Sequence, residues 1–430
     1  MSLPAAATNP VRIPRRTVLT GLALTSAVFA DGSAAARAES QAPAARGGGG
    51  RVTGSSQTVA TRIDHVIDTA LAERRILGAV VLVGQGGEVV YRRAAGLTDR
   101  EAGKPMREDT IFLLASITKP IVAAATMSLV EDGVLGLDTP VTRWLPSFRP
   151  RLTDGSAPEI SIRHLLTHSA GLSYRFLEQA GGPYHRQRVS DGLDQPGLNV
   201  DENLERIAAA GLAFAPGASW RYSVSYDVLG AVIERATGRS LPEVIRERVT
   251  APLGLKDTGF EVVDHDRLAK AYADAKPEPV AIHDGMQVPL FENAVTFAPS
   301  RIFHPGSYPS GGAGMAGTAN DVWRFLECIR KGGGPILGGS AVDAMATDQV
   351  GAQAQTQGPG WGFGYGWAVL VDPAAARTPQ SGGTLQWGGA YGHSWFVDRQ
   401  RGLTVVALTN TAFEGMSGAF PTEIRDAVYG

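Results

Sequence analysis

Segments with strand character lie at the two ends of this chain, and mostly helical or irregular sequence fills the middle. Residues 58–75 carry Ile63, Val66, Ile67 and Leu71 at helical spacing. Residues 79–83 and 89–94 are β-rich runs joined by a glycine-rich stretch, which predicts a hairpin. Near the other end, 365–371, 392–397 and 403–409 are strand-like, with a polar turn over 398–402. Residues 421–428 predict a closing helix with Pro421 in its first turn. The economical arrangement is one antiparallel sheet built from both ends of the chain and flanked by helices. A mostly helical region, about 135–300, is then inserted between them. The expected class is α/β of the α+β type.

The N-terminus predicts export. Arg15-Arg16-Thr17-Val18-Leu19 leads into an apolar run over 18–30, and Ala36-Arg37-Ala38 follows as an A-x-A pattern. Basic, apolar and small-residue parts in that order describe a twin-arginine signal over 1–38, removed from a periplasmic or extracellular product. The apolar run is too short to span a bilayer, so no stable membrane insertion is expected. Residues 39–57 are rich in Gly, Ala and Ser and read as a flexible linker, leaving 58–430 as the folded domain. A formal net charge of -2 offers no basic excess for nucleic acid. Cys328, the one cysteine, excludes an intrachain disulfide and is expected in the core. The oligomeric state is left open.

Ser116-Ile117-Thr118-Lys119 opens a helix-like run to Val130 that stops at Asp132-Gly133. Residues at i and i+3 share a helix face, so Ser116 and Lys119 can meet. A serine hydroxyl is a poor nucleophile without a base. A lysine becomes a usable base when burial lowers its pKa. The positive end of the helix dipole favours a developing alkoxide at Ser116. S-x-x-K alone is common, and taken by itself describes a helix-capping serine beside a solvated lysine.

Other segments change that reading. Ala215-Pro216-Gly217-Ala218-Ser219-Trp220-Arg221-Tyr222-Ser223 runs into Tyr226-Asp227-Val228-Leu229-Gly230, and Gln386-Trp387-Gly388-Gly389-Ala390-Tyr391-Gly392-His393 stands further on. Ile162-Arg163-His164-Leu165-Leu166-Thr167-His168-Ser169-Ala170-Gly171-Leu172, Pro252-Leu253-Gly254-Leu255 and Pro309-Ser310-Gly311-Gly312-Ala313-Gly314-Met315 complete the set. With these motifs the chain resembles the large serine β-lactamase and penicillin-binding-protein family over about residues 60–428. That family includes class C β-lactamases, D-aminopeptidases and family VIII carboxylesterases. The resemblance implies a β-lactamase/transpeptidase-like fold. It makes Ser116 the acylated nucleophile, with Lys119 and Tyr222 moving its proton. It places the Trp387 segment on an edge strand and makes the backbone N–H groups of Ser116 and Ala390 the oxyanion hole. Trp387, Gly388, Gly389, Val224 and His393 would line the substrate pocket, the glycines letting the strand approach the substrate.

Two departures point to the substrate. Where lactamase-like relatives carry Y-x-N, this chain has Tyr222-Ser223-Val224, and Trp387 replaces the lysine of K-T-G. A hydrogen-bonding amide and a positive charge are lost, which suits a neutral ester more than a carboxylate-bearing β-lactam. The pattern is closest to the family VIII carboxylesterases. The expectation is a serine hydrolase for small-molecule esters of short to medium acyl chain. An acyltransferase, a D-amino-acid peptidase or amidase, and a weak β-lactamase are alternatives on the same scaffold. A non-catalytic domain binding cell-wall fragments is the alternative of another class. No cofactor and no metal are expected. His164 and His168 share a helical spacing but lack a third ligand, so both are expected to pack or cap structure. Asp138 is expected to be structural.

Overall fold

The computed structural model describes residues 56–290 and 292–430. The expected export signal and the linker up to residue 55 lie outside the described residues. Helix α1 (Ser56–Ala72) starts inside the stretch expected to be linker. The hairpin follows as β1 (Gly78–Gln85) and β2 (Glu88–Asp99), each longer than the β-rich runs that announced it. Gly86 and Gly87 both have positive φ at its two-residue turn, which glycine adopts without a Cβ penalty.

Strands β3 (Lys104–Pro105) and β4 (Ile111–Leu113) lead to a 3₁₀ turn over Ala115–Ile117 and then to α2 (Thr118–Glu131). The chain continues through α3 (Ile162–Leu166), α4 (Ser225–Thr237), β5 (Ala316–Thr318) and α5 (Ala319–Arg330). Strands β6 (Trp361–Phe363), β7 (Ala368–Leu370), β8 (Leu385–Gly389), β9 (His393–Asp398) and β10 (Leu403–Thr409) precede the last helix, α6 (Ala419–Tyr429).

The main sheet runs β6-β7-β8-β9-β10-β1-β2-β3, antiparallel throughout. Within it β1 pairs with β10, from Ala79 opposite Thr409 to Gln85 opposite Leu403. This pairing joins the two ends of the chain and makes β1 an interior strand, buried on both faces. Alternate residues serve different cores. Val80 and Leu82 pack into the larger core with Ile117, Ile121 and Phe325. Ala79, Val81 and Val83 pack against Ile63 and Ile67 of α1 and Phe420 and Ile424 of α6. Each such Val or Leu contributes about 1.5–3 kcal/mol of transfer free energy.

Helix α2 is buried from Thr118 to Leu129, and its side chains are apolar on nearly every face. Such a helix belongs in the centre of a large core, and that position carries Lys119 into the interior. The inserted region also holds short strands at Tyr272–Ala273, Val280–Ala281, Met286–Leu290 and Asn293–Phe297. They escape a reading by periodicity because they are short and Pro289 interrupts one of them. The strand-like run 365–371 is likewise not one strand: Gly366 turns at φ +106°, and only its later part forms β7, paired back onto β6. Cys328 is buried in the larger core. Among the described residues, no helix is long and apolar enough to cross a membrane.

Candidate active site

Ser116 sits on the 3₁₀ turn that feeds α2, directly after Ala115, whose φ is +45°. A non-glycine residue in that region is strained, and it turns the chain sharply between β4 and α2. The Ser116 side chain is half-buried, whereas the residues on either side of it are buried. One helical turn on, Lys119 places Nζ 3.1 Å from Ser116 Oγ. From the inserted region, Tyr222 donates its phenol proton to Ser116 Oγ over 2.7 Å. Three residues expected to share a reaction therefore meet at one oxygen.

Lys119 is fully buried and donates to the Gly312 carbonyl over 2.7 Å. Its Nζ lies 4.6 Å from the centre of the Tyr222 ring and 5.4 Å from that of Tyr174. Burial pushes its ammonium pKa down to about 7, and the Asp227 carboxylate works in the opposite sense. Asp227 is itself buried in the first turn of α4 and accepts from Ser310 Oγ over 2.6 Å. A Cβ at Gly312 would lie 2.9 Å from Asp227 Oδ2 and 3.2 Å from the Tyr174 hydroxyl, so only glycine fits that slot. Asp227, Ser310 and Gly312 thus form the floor that holds Lys119 beneath Ser116. Burial raises the Tyr222 phenol above the usual range, while hydrogen bonding with Ser116 and Trp387 pulls it back. At neutral pH the pair is a lysine able to lose its proton beside a phenol that keeps its own.

Aromatic rings wall the site. Tyr222 packs against His168, Tyr174 and Trp387 at centroid distances of 4.7, 5.0 and 5.2 Å. Phe363 lies edge-on to Trp387 at 5.3 Å, and Phe176 stacks on Tyr174 at 4.8 Å.

The Trp387 strand is not at the edge of the sheet, as the resemblance implied. β7 pairs with β8, but only at Leu385 and Gln386, so Trp387 to Gly389 run on beyond the last pair on that side. The glycines answer a packing demand from the protein's own backbone. A Cβ at Gly389 would overlap the Leu114 carbonyl oxygen, and one at Gly388 would press on the His393 carbonyl and Met416. Gly389 therefore lets β8 close directly onto the segment leading to Ser116. Ala390 follows in the turn closed by the Gly392 N–H and the Gly389 carbonyl.

Two expected pocket residues are fully buried. Val224 is fully buried as the residue preceding α4 and belongs to the larger core, because the chain must turn inward there to start a buried helix. His393 is also fully buried; its Nε2 donates to the Leu113 carbonyl over 2.8 Å, and Phe112 packs on its ring. Burial takes its pKa down to about 4, so it is a neutral brace between β9 and β4. His164 accepts the Ser161 N–H in the capping box of α3, and Asp138 forms an exposed bidentate pair with Arg163. Among the described residues, no group of three His, Cys, Asp or Glu side chains is placed to hold a metal ion. Sequence reasoning missed Tyr174, Phe363 and Asp227. Of these, only Asp227 left a signal, as a carboxylate followed at once by an apolar run.

Comparison with known proteins places these motifs in context. The family model described as Beta-lactamase matches residues 63–428. The chain is 59% identical to Esterase EstB of Burkholderia gladioli over 375 residues, covering 86% of this chain and 95% of that protein. It is 29% identical to the Lovastatin esterase of Penicillium rubens over 374 residues, covering 79% and 90% of the two chains. Among solved structures, EstCE1, a hydrolase with promiscuous acyltransferase activity, superposes with a TM-score of 0.85 at 51% identity, covering 87% of this chain and 99% of its own.

Proposed function

The chain belongs to the beta-lactamase family, and from that premise we propose that it is a serine esterase cleaving neutral carboxylic esters of short to medium acyl chain through an acyl-Ser116 intermediate. The observation that carries this reading is the convergence of Lys119 Nζ and the Tyr222 hydroxyl on Ser116 Oγ, at 3.1 and 2.7 Å. Ser116 Oγ attacks the ester carbonyl carbon while its proton passes to Lys119, the group whose pKa near 7 suits a base. The carbonyl oxygen becomes an oxyanion held by the N–H groups of Ser116 and Ala390, donors of a kind that contribute about 3–4 kcal/mol each. Collapse breaks the bond to the alcohol oxygen, which leaves with a proton returned through Lys119 and Tyr222. Water, deprotonated by the same pair, then attacks the acyl carbon and frees the acid and Ser116.

The neutral-ester preference rests on Trp387. An indole stands against Tyr222 where relatives place a cation, so a carboxylate entering there loses water without gaining a charge partner. The test is kcat/KM on p-nitrophenyl acetate and butyrate beside a chromogenic cephalosporin. Esters well above the cephalosporin support the reading; the reverse order overturns the substrate class.

A second reading, acyl transfer, draws on the aromatic walls and on the 51% identical hydrolase described as a promiscuous acyltransferase. An ordered aromatic site can favour an alcohol over water as acceptor. Product analysis with added alcohol distinguishes new ester from free acid. We also propose export, on the Arg15-Arg16 leader and its A-x-A site. A mature N-terminus near Glu39 on protein from outside the cytoplasm is the supporting result; an intact leader on cytoplasmic protein is the contrary one.

A further inference from the structure

His168 lies between α3 and the Tyr222 segment, far from any role in bond making. It follows the last residue capping α3 and adopts φ +56°, in the left-handed region. Its side chain is fully buried. Its backbone carbonyl accepts the Arg221 N–H over 3.0 Å. Its Nδ1 accepts the Ser223 N–H over 3.3 Å and lies 3.2 Å from Ser223 Oγ. The residues on both sides of Tyr222 are therefore bonded to the same residue, one through its backbone and one through its ring. The imidazole also packs against the Tyr222 ring at 4.7 Å, with Tyr226 and Phe363 on it at 5.2 and 5.4 Å.

We infer that His168 is a positioning residue of the reaction: its neutral imidazole, as an Nδ1 acceptor, clamps the Tyr222 peptide so that the phenol meets Ser116 Oγ. The inference rests on the reading that Tyr222 takes part in catalysis. An Nδ1 that accepts an amide proton carries its own proton on Nε2. An imidazolium has no acceptor, so the clamp requires the neutral ring. Burial, with the Lys119 charge nearby, favours that form. Among the described residues the Nε2 atom has no hydrogen-bond partner; its buried N–H is a desolvation cost of holding the ring in the tautomer that accepts at Nδ1. A phenol displaced by about 1 Å costs about a hundredfold in rate, so a clamp of this kind acts on kcat more than on binding.

The test compares H168G and H168N in the wild-type and Y222F backgrounds, with p-nitrophenyl butyrate as substrate and melting temperature as a check on folding. Glycine suits the positive φ and deletes the ring. Asparagine tolerates the same φ and returns a short acceptor. The expected result is a fall in kcat of about 10–100-fold for H168G with KM within about twofold, substantial recovery in H168N, and no further loss from H168G once Tyr222 is Phe. An equal fold-loss from H168G in both backgrounds, or H168G with wild-type kcat, overturns the inference. If H168G does not fold, H168A takes its place in the same comparison: a loss of kcat that disappears in the Y222F background supports the inference, and an equal loss in both backgrounds, or none, overturns it. Wild-type activity in Y222F would instead remove the reading of Tyr222 on which the inference stands.

Discussion

The Tyr222 phenol donates to the Ser116 hydroxyl over 2.7 Å, although the two residues stand 106 positions apart in the chain. Lys119, on the helix that follows Ser116, reaches the same oxygen at 3.1 Å. One oxygen thus faces a protonated phenol and an amine that burial has made easy to deprotonate. The fold achieves this by passing the inserted region over the buried N-terminal end of α2.

The first prediction concerns pH. Lys119 acts as a base only without its proton, and its pKa is lowered to about 7. The sign follows: kcat/KM for a neutral ester rises as pH increases through about 7 and then levels off. Tyr222, raised by burial, keeps its proton over this range and does not cut the plateau. Asp227→Asn removes the carboxylate that favours the charged lysine, so the midpoint moves to lower pH. The profile of kcat/KM from about pH 5 to about pH 9 measures both effects. A flat profile, or a midpoint unmoved in a folded D227N, contradicts the assignment.

The second prediction concerns Gly389. Its missing side chain is what allows β8 to sit on the Leu114 carbonyl, just before the Ser116 turn. Gly389→Ala forces the strand and the turn apart, and overpacking of this kind costs about 1–3 kcal/mol. The expected outcome is a lowered denaturation midpoint together with a kcat reduced by about tenfold or more, because the oxyanion donors separate. Wild-type stability and kcat would show that the two segments move apart freely.

The third prediction concerns Trp387. Trp387→Lys restores a cation beside Tyr222, where the indole now packs at 5.2 Å. Activity on p-nitrophenyl butyrate is expected to fall, and the ratio of cephalosporin to ester kcat/KM to rise by about tenfold or more. An unchanged ratio, measured under one set of conditions, places the Trp387 ring outside the substrate site.

The parts legible in the sequence were those with a local physical signature. The β1–β2 hairpin showed in its glycine turn, α1 in its apolar spacing, and α6 in the closing amphipathic stretch. Ser116 and Lys119 were legible together because a helix converts three residues of separation into contact. The meeting of Tyr222 with Ser116 followed only from the ordered motifs, since no local pattern encodes a contact across 106 positions. Val224 and His393 were expected at the pocket, and their full burial was not legible for a related reason. A position beside a motif fixes a residue's place along the chain but not the side to which it points, and both turned inward. Asp227, Tyr174 and the Gly312 carbonyl were hidden because the floor of the site assembles from three separate segments.

The central claim is that ester cleavage runs through a covalent bond to Ser116 Oγ. Its most direct test is mass spectrometry on protein quenched during turnover of a slowly deacylating ester, followed by peptide mapping. The account predicts one acyl mass per chain, located on the peptide containing Ser116 and absent from a folded Ser116→Ala variant that has lost turnover. An acyl group on another residue, or near-wild-type turnover in folded Ser116→Ala, would contradict it.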